Sequence, residues 1–183
     1  RTRRADGTAV AGARVEALGR VTASRPRNIK TDDNGEWTRE DLLPGPHAVA
    51  VICVQGEETE TLIQTGVVLS PEAPAAVEFV FGPTGGLAGR VVDAAGRPVS
   101  GAWVSTFDER TLYDFEGPPR QFGFARCQTD EAGLFHLKKI QAGVYTLYVA
   151  PSGPLARRGA TQAPGLLVES GKETRAGDIV LAE

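Results

Sequence analysis

Residues 89–104 read GRVVDAAGRPVSGAWV, two short apolar runs separated by a turn. The start of the chain, RTRRADGTAVAGARV, has the same cadence. At an offset of 89, residues 1–17 fall on 90–106 without a gap, and Arg1/Arg90, Ala5/Ala94, Gly7/Gly96, Val10/Val99, Gly12/Gly101, Ala13/Ala102 and Val15/Val104 are identical. At an offset of 98, TDDNGEWTREDLLPGPHAVAVI (31–52) falls on TDEAGLFHLKKIQAGVYTLYVA (129–150). Thr31/Thr129, Asp32/Asp130, Gly35/Gly133, Gly45/Gly143 and Val51/Val149 match there, and Trp37 meets Phe135. The offset grows from 89 to 98, so the second copy carries nine extra residues between the two blocks. Two copies of a unit this long indicate tandem domains, not a solenoid.

Each copy reads as β structure. RVVD, AWVSTF, GLFHLKKI and VYTLYVA are short, rich in β-branched and aromatic residues, and bounded by Gly, Pro and Asp. AAGRP and DEAG carry turn chemistry, with glycine for positive φ and an acidic side chain to bond back to nearby amides. No window holds a sustained 3.6-residue apolar stripe, so helices are expected to be scarce. The expected fold is all-β: two tandem seven-stranded antiparallel Greek-key sandwiches, 1–82 with its opening strand truncated and 83–183. The short join FGPTGG (81–86) leaves little slack, which favours copies set end to end with limited bending.

Period-2 alternation assigns the faces. Tyr145, Leu147 and Val149 share one side of their strand, as do His47, Val49, Val51 and Cys53 in the first copy. Ala102 and Val104 share a side, which leaves Trp103 and Phe107 facing outward. Arg14 holds the place of Trp103 in the first copy, in keeping with an outward position.

Composition narrows the function classes. With 41% hydrophobic residues in 183, a packed core is within reach. A net charge of −3 gives no basic field for nucleic acid. The basic cluster Arg1, Arg3 and Arg4 reads as a solvated, fraying end. No apolar run approaches the ~20 residues needed to cross a bilayer, so no membrane insertion by this stretch is expected. The chain does not begin with Met and starts inside a structural unit, which reads as an excised or mature fragment. Two cysteines, Cys53 and Cys127, make neither a disulfide framework nor a metal motif and are expected as buried free thiols.

The two blocks together, GRVVDAAGRPVSGAWV and then TDEAGLFHLKKIQAGVYTLYVA, resemble the carboxypeptidase regulatory-like domain, a transthyretin-like seven-stranded sandwich. The first copy matches through ADGTAVAGARVEA and TDDNGEWTREDLLPGPHAVAV, without the family's opening Gly-x-Val. The resemblance covers nearly the whole chain, yet it consists of packing and turn residues. It implies accessory modules of secreted peptidases, outer-membrane receptors and bacterial surface proteins, with an extracellular, outer-membrane-associated or periplasmic location.

The candidate chemistry points away from catalysis. His47 and His136 lie in different copies with no ligand-spaced Cys or carboxylate beside them, and read as packed or surface strand histidines. There is no peptidase His-x-x-Glu, no nucleophile elbow and no phosphate loop. Catalytic sandwich relatives, such as intradiol dioxygenases and hydroxyisourate hydrolases, use His-rich or His-Arg-Ser sites that are not matched here. DDNGE (32–36) superficially resembles a calcium loop, but its counterpart DEAGL keeps only Asp130 and Gly133, the residues a hairpin turn needs. A Lys–Asn isopeptide crosslink needs an Asn in a late strand, and VEFVFG and GDIVLAE have none. No catalytic residue, metal or cofactor is therefore expected.

The insertion is the most distinctive feature. STFDERTLYDFEGPPRQFGFARCQ (105–128) holds Phe107, Tyr113, Phe115, Phe122 and Phe124, interleaved with charges that include Arg110 and Arg120. Aromatics with Arg are favoured at interface centres. The segment either covers the sheet around Trp103 or recognises a partner, and the two roles are compatible. The candidate binding residues are Trp103, Phe107, Arg110, Tyr113, Phe115, Arg120, Phe122 and Phe124. The expected role is a non-catalytic spacer, adhesion or assembly module that meets a protein or glycan at the cell surface. The alternatives are a carbohydrate-binding module using Trp103 and the insertion aromatics, or an accessory domain of a secreted enzyme.

Overall fold

A computed structural model describes residues 1–18, 29–40, 42–56, 58–106, 120–151 and 161–181; the side chains of Leu18 and Arg120 are outside that description. Every element assigned among them is a strand. The protein is all-β, and its chain divides into two compact units.

The first unit comprises Arg1–Gly82 together with residues from the stretch Glu109–Gly123. Its strands are β1 (Thr2–Arg4), β2 (Arg14–Leu18), β3 (Ile29–Lys30), β4 (Gly45–Gln55), β5 (Glu58–Leu69) and β6 (Phe79–Phe81), with a further strand, β9 (Arg120–Phe124), at the sheet edge. They form a five-stranded sheet in the order β3-β2-β4-β5-β9 and a two-stranded sheet, β1-β6. Val15, Val49, Val51, Cys53, Leu62, Phe79 and Phe81 meet in its core.

The second unit comprises Pro83–Asp108 and Phe124–Glu183. Its strands are β7 (Thr84–Val92), β8 (Trp103–Ser105), β10 (Arg126–Gln128), β11 (Leu134–Gln141), β12 (Gly143–Ala150), β13 (Thr161–Val168) and β14 (Glu173–Val180). Sheets β11-β7-β14 and β10-β8-β12-β13 enclose Leu87, Val91, Ala102, Val104, Leu137, Leu147 and Val149. In each unit a later strand returns beside the first in the same direction: β6 pairs with β1 in a parallel two-stranded sheet, and β14 pairs parallel with β7 opposite the antiparallel β11.

The repeated sequence positions build one joint twice. Thr31 Oγ1 donates to the Val10 carbonyl (2.6 Å) and accepts from the Ala13 amide (3.0 Å). Thr129 Oγ1 does the same with Val99 (2.7 Å) and Ala102 (2.9 Å). The next residue shapes the turn. Asp32 Oδ1 accepts from the amides of Asn34 and Glu36, and Asp130 Oδ1 from those of Ala132 and Leu134. Gly35 and Gly133 close these turns at φ 70° and 75°. A Cβ there would also run into the carbonyl of Thr2 or of Val91. Hairpin-turn chemistry thus accounts for what DDNGE and DEAGL share.

Alternation predicts most inward faces. His47, Val49, Val51 and Cys53 are buried, as are Leu147 and Val149. Tyr145 is half-buried and packs against the core beside a register shift between β12 and β13. Cys127 is half-buried rather than fully so, and both thiols are free. The arginines at the start correct the reading of a solvated end. Arg3 Nε lies 2.9 Å from Glu78 Oε1, while Arg4 Nη1 lies 2.8 Å from the buried Glu60 Oε2. Their placement in β1, paired with β6, holds both side chains against the sheet.

Candidate functional site

Trp103 opens β8, whose alternate residue Val104 is fully buried in the second unit's core. The indole therefore faces out, 38% exposed. Trp103 pairs across the sheet with Gln128 of β10 and Ala150 of β12. This places β10 alongside, and the Arg126 guanidinium lies over the indole, 4.5 Å from the ring centroid. A cation over a Trp face is attracted by the ring quadrupole, by about 0.5–1 kcal/mol at an exposed site. Arg126 was not among the residues the sequence singled out. Its signal was the β8–β10 register, which composition does not reveal.

The remaining candidates divide. Phe107, Arg110, Tyr113 and Phe115 lie outside the described residues, as does the Arg120 side chain. Phe122 and Phe124 are half-buried in β9. β9 is an edge strand of the first unit's sheet, beside β5, and Phe122 groups with that unit. Gln121 fastens this strand. Its amide donates to the Glu78 carbonyl (2.9 Å) and to Gln64 Oε1 (3.4 Å), and its carbonyl accepts from the Val80 amide (3.3 Å).

Further polar groups sit in the first unit. A groove of about 790 Å³ is bordered by Trp37, Arg39, Leu42, His47, Val49 and Leu69, with the 70–78 stretch along one side. His47 is 4% exposed, and one ring nitrogen lies 2.8 Å from the Leu43 carbonyl. Its Nδ1 and the Trp37 Nε1 are buried without a hydrogen-bond partner. Nearby in sequence but in another cluster, Glu60 and Cys53 face each other across β4 and β5, and Arg4 Nη2 lies 3.9 Å from Cys53 Sγ. Burial pushes the Cys53 thiol pKa above its ordinary value, against the pull of Arg4. Burial also raises that of Cys127. In the second unit, His136 Nε2 lies 2.7 Å from Glu173 Oε2 on the open face of its sheet. No group of three or more His, Cys, Asp or Glu side chains gathers into a metal-binding arrangement among the described residues.

No family model and no curated protein sequence matches the chain. Solved structures align with it at low similarity. The Bacillus anthracis TIE protein is 18% identical over 100% of this chain and 33% of its own, with a TM-score of 0.37. A minor pilin of Streptococcus agalactiae is 13% identical over 96% of this chain and 84% of its own, also at 0.37. The shaft pilin SpaA of Lactobacillus rhamnosus GG is 12% identical over 99% and 94%, at 0.34. This chain spans a third of the TIE protein chain. No helix among the described residues is long and apolar enough to cross a membrane.

Proposed function

We propose that the chain is a non-catalytic structural module of a larger surface protein, two transthyretin-like sandwiches of the carboxypeptidase regulatory-like kind working outside the cytoplasm. The observation that carries this reading is β9. The chain leaves β8 of the second unit and contributes the edge strand of the first unit's sheet before it returns to β10. The two units are thus linked by the short join at Gly82–Pro83 and by a second passage of the chain through β9. A spacer benefits from a paired sheet edge, because traction must strip a β ladder before the first unit's sheet opens. Single-molecule pulling on the whole chain tests it. Replacing Phe122 by proline, which weakens β9, should lower the force at which the first unit opens. An unchanged force would refute the spacer reading.

Partner recognition is assigned to the second copy, around Trp103 and the insertion. The Arg126–Trp103 stack favours a protein partner over a glycan, since a sugar stacking on that ring face must first displace the guanidinium. Trp103→Ala, Tyr113→Ala and Phe115→Ala should weaken binding to a surface protein while leaving the melting temperature nearly unchanged. A fall in melting temperature with binding intact would make the insertion a cover only. Binding of a cell-surface glycan, lost in Trp103→Ala, would instead establish the carbohydrate-binding alternative.

A further inference from the structure

We propose that Asn34 is a latent modification site, an asparagine that converts to isoaspartate once its turn opens and that the closed turn protects. Asn34 is exposed and is followed by Gly35, whereas the chain's other asparagine, Asn28, precedes isoleucine. Asparagine before glycine is the thermolabile arrangement, since no Cβ stands in the way of the following nitrogen. The Gly35 nitrogen attacks Asn34 Cγ, so that a new C–N bond forms and the Cγ–Nδ2 bond breaks. Ammonia leaves with the proton that the Gly35 amide carried, and a succinimide ring remains. Water then opens the ring at one of its two carbonyls, giving aspartate or isoaspartate.

The folded turn opposes the first step. The Gly35 amide donates to the Asp32 carbonyl (2.9 Å), and the amides of Asn34 and Glu36 donate to Asp32 Oδ1 (2.9 and 2.8 Å). On its other side, the Gly35 carbonyl accepts from the Thr2 amide (2.7 Å). Ring closure needs the Gly35 nitrogen to swing onto Cγ, which gives up the bond to Asp32 and pulls on the bond from Thr2. The reaction therefore proceeds from the fraction of molecules in which the turn is open.

The same contacts decide what the product does. Isoaspartate routes the main chain through the former side chain and lengthens it by one carbon. Gly35 lies so close to the Thr2 carbonyl that even an added Cβ would run into it, which leaves no room for a displaced glycine. The bond from Thr2 to Gly35 is lost, and β1 loses a support beside the point where the Thr2 carbonyl accepts from the Val10 amide (3.1 Å). The second unit builds the same turn without this liability. Ala132 stands where Asn34 does, and Gly133 donates to the Asp130 carbonyl (3.0 Å) and accepts from the Val91 amide (2.8 Å). The turn thus does not require asparagine, and the site belongs to the first unit alone. It is independent of the role proposed above.

The test incubates the whole chain at mildly alkaline pH, folded and in guanidinium chloride, and follows the mass gain of deamidation in the peptide carrying residue 34. The folded chain should react more slowly by on the order of tenfold or more. Asp32→Ala, which removes the side-chain acceptor of two turn amides, should raise the folded rate toward that in denaturant. If this variant loses its melting transition, Asp32→Ser, with a weaker acceptor, takes its place. Equal rates folded and denatured, or a folded variant no faster than the parent, overturn the guarded turn. The isoaspartate form should melt below Asn34→Asp, which carries the same charge without the extra main-chain carbon, and should exchange its Val10 amide faster. Identical melting of the two overturns the loss of support at β1. Asn34→Ala, the second unit's residue, should show no mass gain in this peptide, and a gain there overturns the assignment to Asn34.

Discussion

At the scale of single residues, Thr31 and Thr129 hold together a loop and a strand start that are far apart in sequence. Thr129→Val would keep the shape but leave the Val99 carbonyl and the Ala102 amide without their side-chain partner. A buried group left unsatisfied costs about 1–3 kcal/mol, so chemical denaturation should show a loss of that size, and Thr31→Val a similar one in the first unit. Asp93 makes a different prediction. Its Oδ1 accepts from the amides of Ala95 and Arg97, and the Arg97 guanidinium sits 2.7 Å from Oδ2. The backbone bond from Arg97 comes first among the causes that hold this carboxyl below its ordinary pKa. A depressed folded-state pKa contributes stability that is present above the unfolded value, near 4, and is lost as pH falls through the folded one. Asp93→Asn should therefore flatten the acid limb of a melting-temperature profile and leave the slope at neutral pH unchanged. The raised thiols predict slow labelling of Cys53 and Cys127 by a thiol reagent near neutral pH in the native protein, and rapid labelling of both once it is unfolded. The aspartate turns were legible in the sequence because their chemistry is local, whereas the threonine joints, which reach back to Val10 and Val99, were not. A Thr-Asp pair three residues before a glycine describes its own turn. Arg4 was not legible, since its partner Glu60 lies on β5 and only the fold brings the two together.

At the scale of elements, alternation found the inward faces of β4 and β12 even where their ladders slip. The β4–β5 register shifts between His47 and Val49, and β12–β13 shifts at the equivalent place, between Tyr145 and Leu147. On β4 and β12 themselves the residues either side of the shift still face the core, and no single-strand pattern announces such a bulge. A third irregularity, between Leu137 and Ile140 on β11, holds Lys139 at φ 54°, the one non-glycine residue at positive φ among the described residues. Left-handed geometry costs an L-residue about 1–2 kcal/mol. Lys139→Gly should accordingly stabilise the second unit by up to about 1 kcal/mol, after glycine's own entropic cost, as read by urea titration. β9 was the element least accessible to sequence reading. Its aromatics and its place in the insertion suggested a loop over Trp103, whereas strand pairing with β5 depends on a neighbour some fifty residues back. Gln121→Ala tests how firmly that pairing is fastened. Loss of its three side-chain hydrogen bonds, two of them to backbone groups of Glu78 and Val80, should lower the first unit's stability by about 1 kcal/mol and speed amide exchange along β5.

At the scale of the whole molecule, the chain divides into two units, each with a core cluster of its own, and the second stretch assigned to the first unit was not legible in the repeat. An isolated 1–82 fragment would keep β1–β6 and lose β9, leaving the long β5 with an open edge. Such an edge invites pairing with another chain. The fragment should therefore melt lower than the first unit does in the intact protein and self-associate on size-exclusion chromatography, and a monomeric fragment of equal stability would contradict this. The same strand imposes an order on biosynthesis. The ribosome completes β5 at Leu69 but must add about fifty more residues before β9 emerges. At about 5–20 residues per second, the nascent first unit waits several seconds with that edge exposed. A chain built this way closes its first sheet late in translation, and until then offers that edge to its neighbours on the same message.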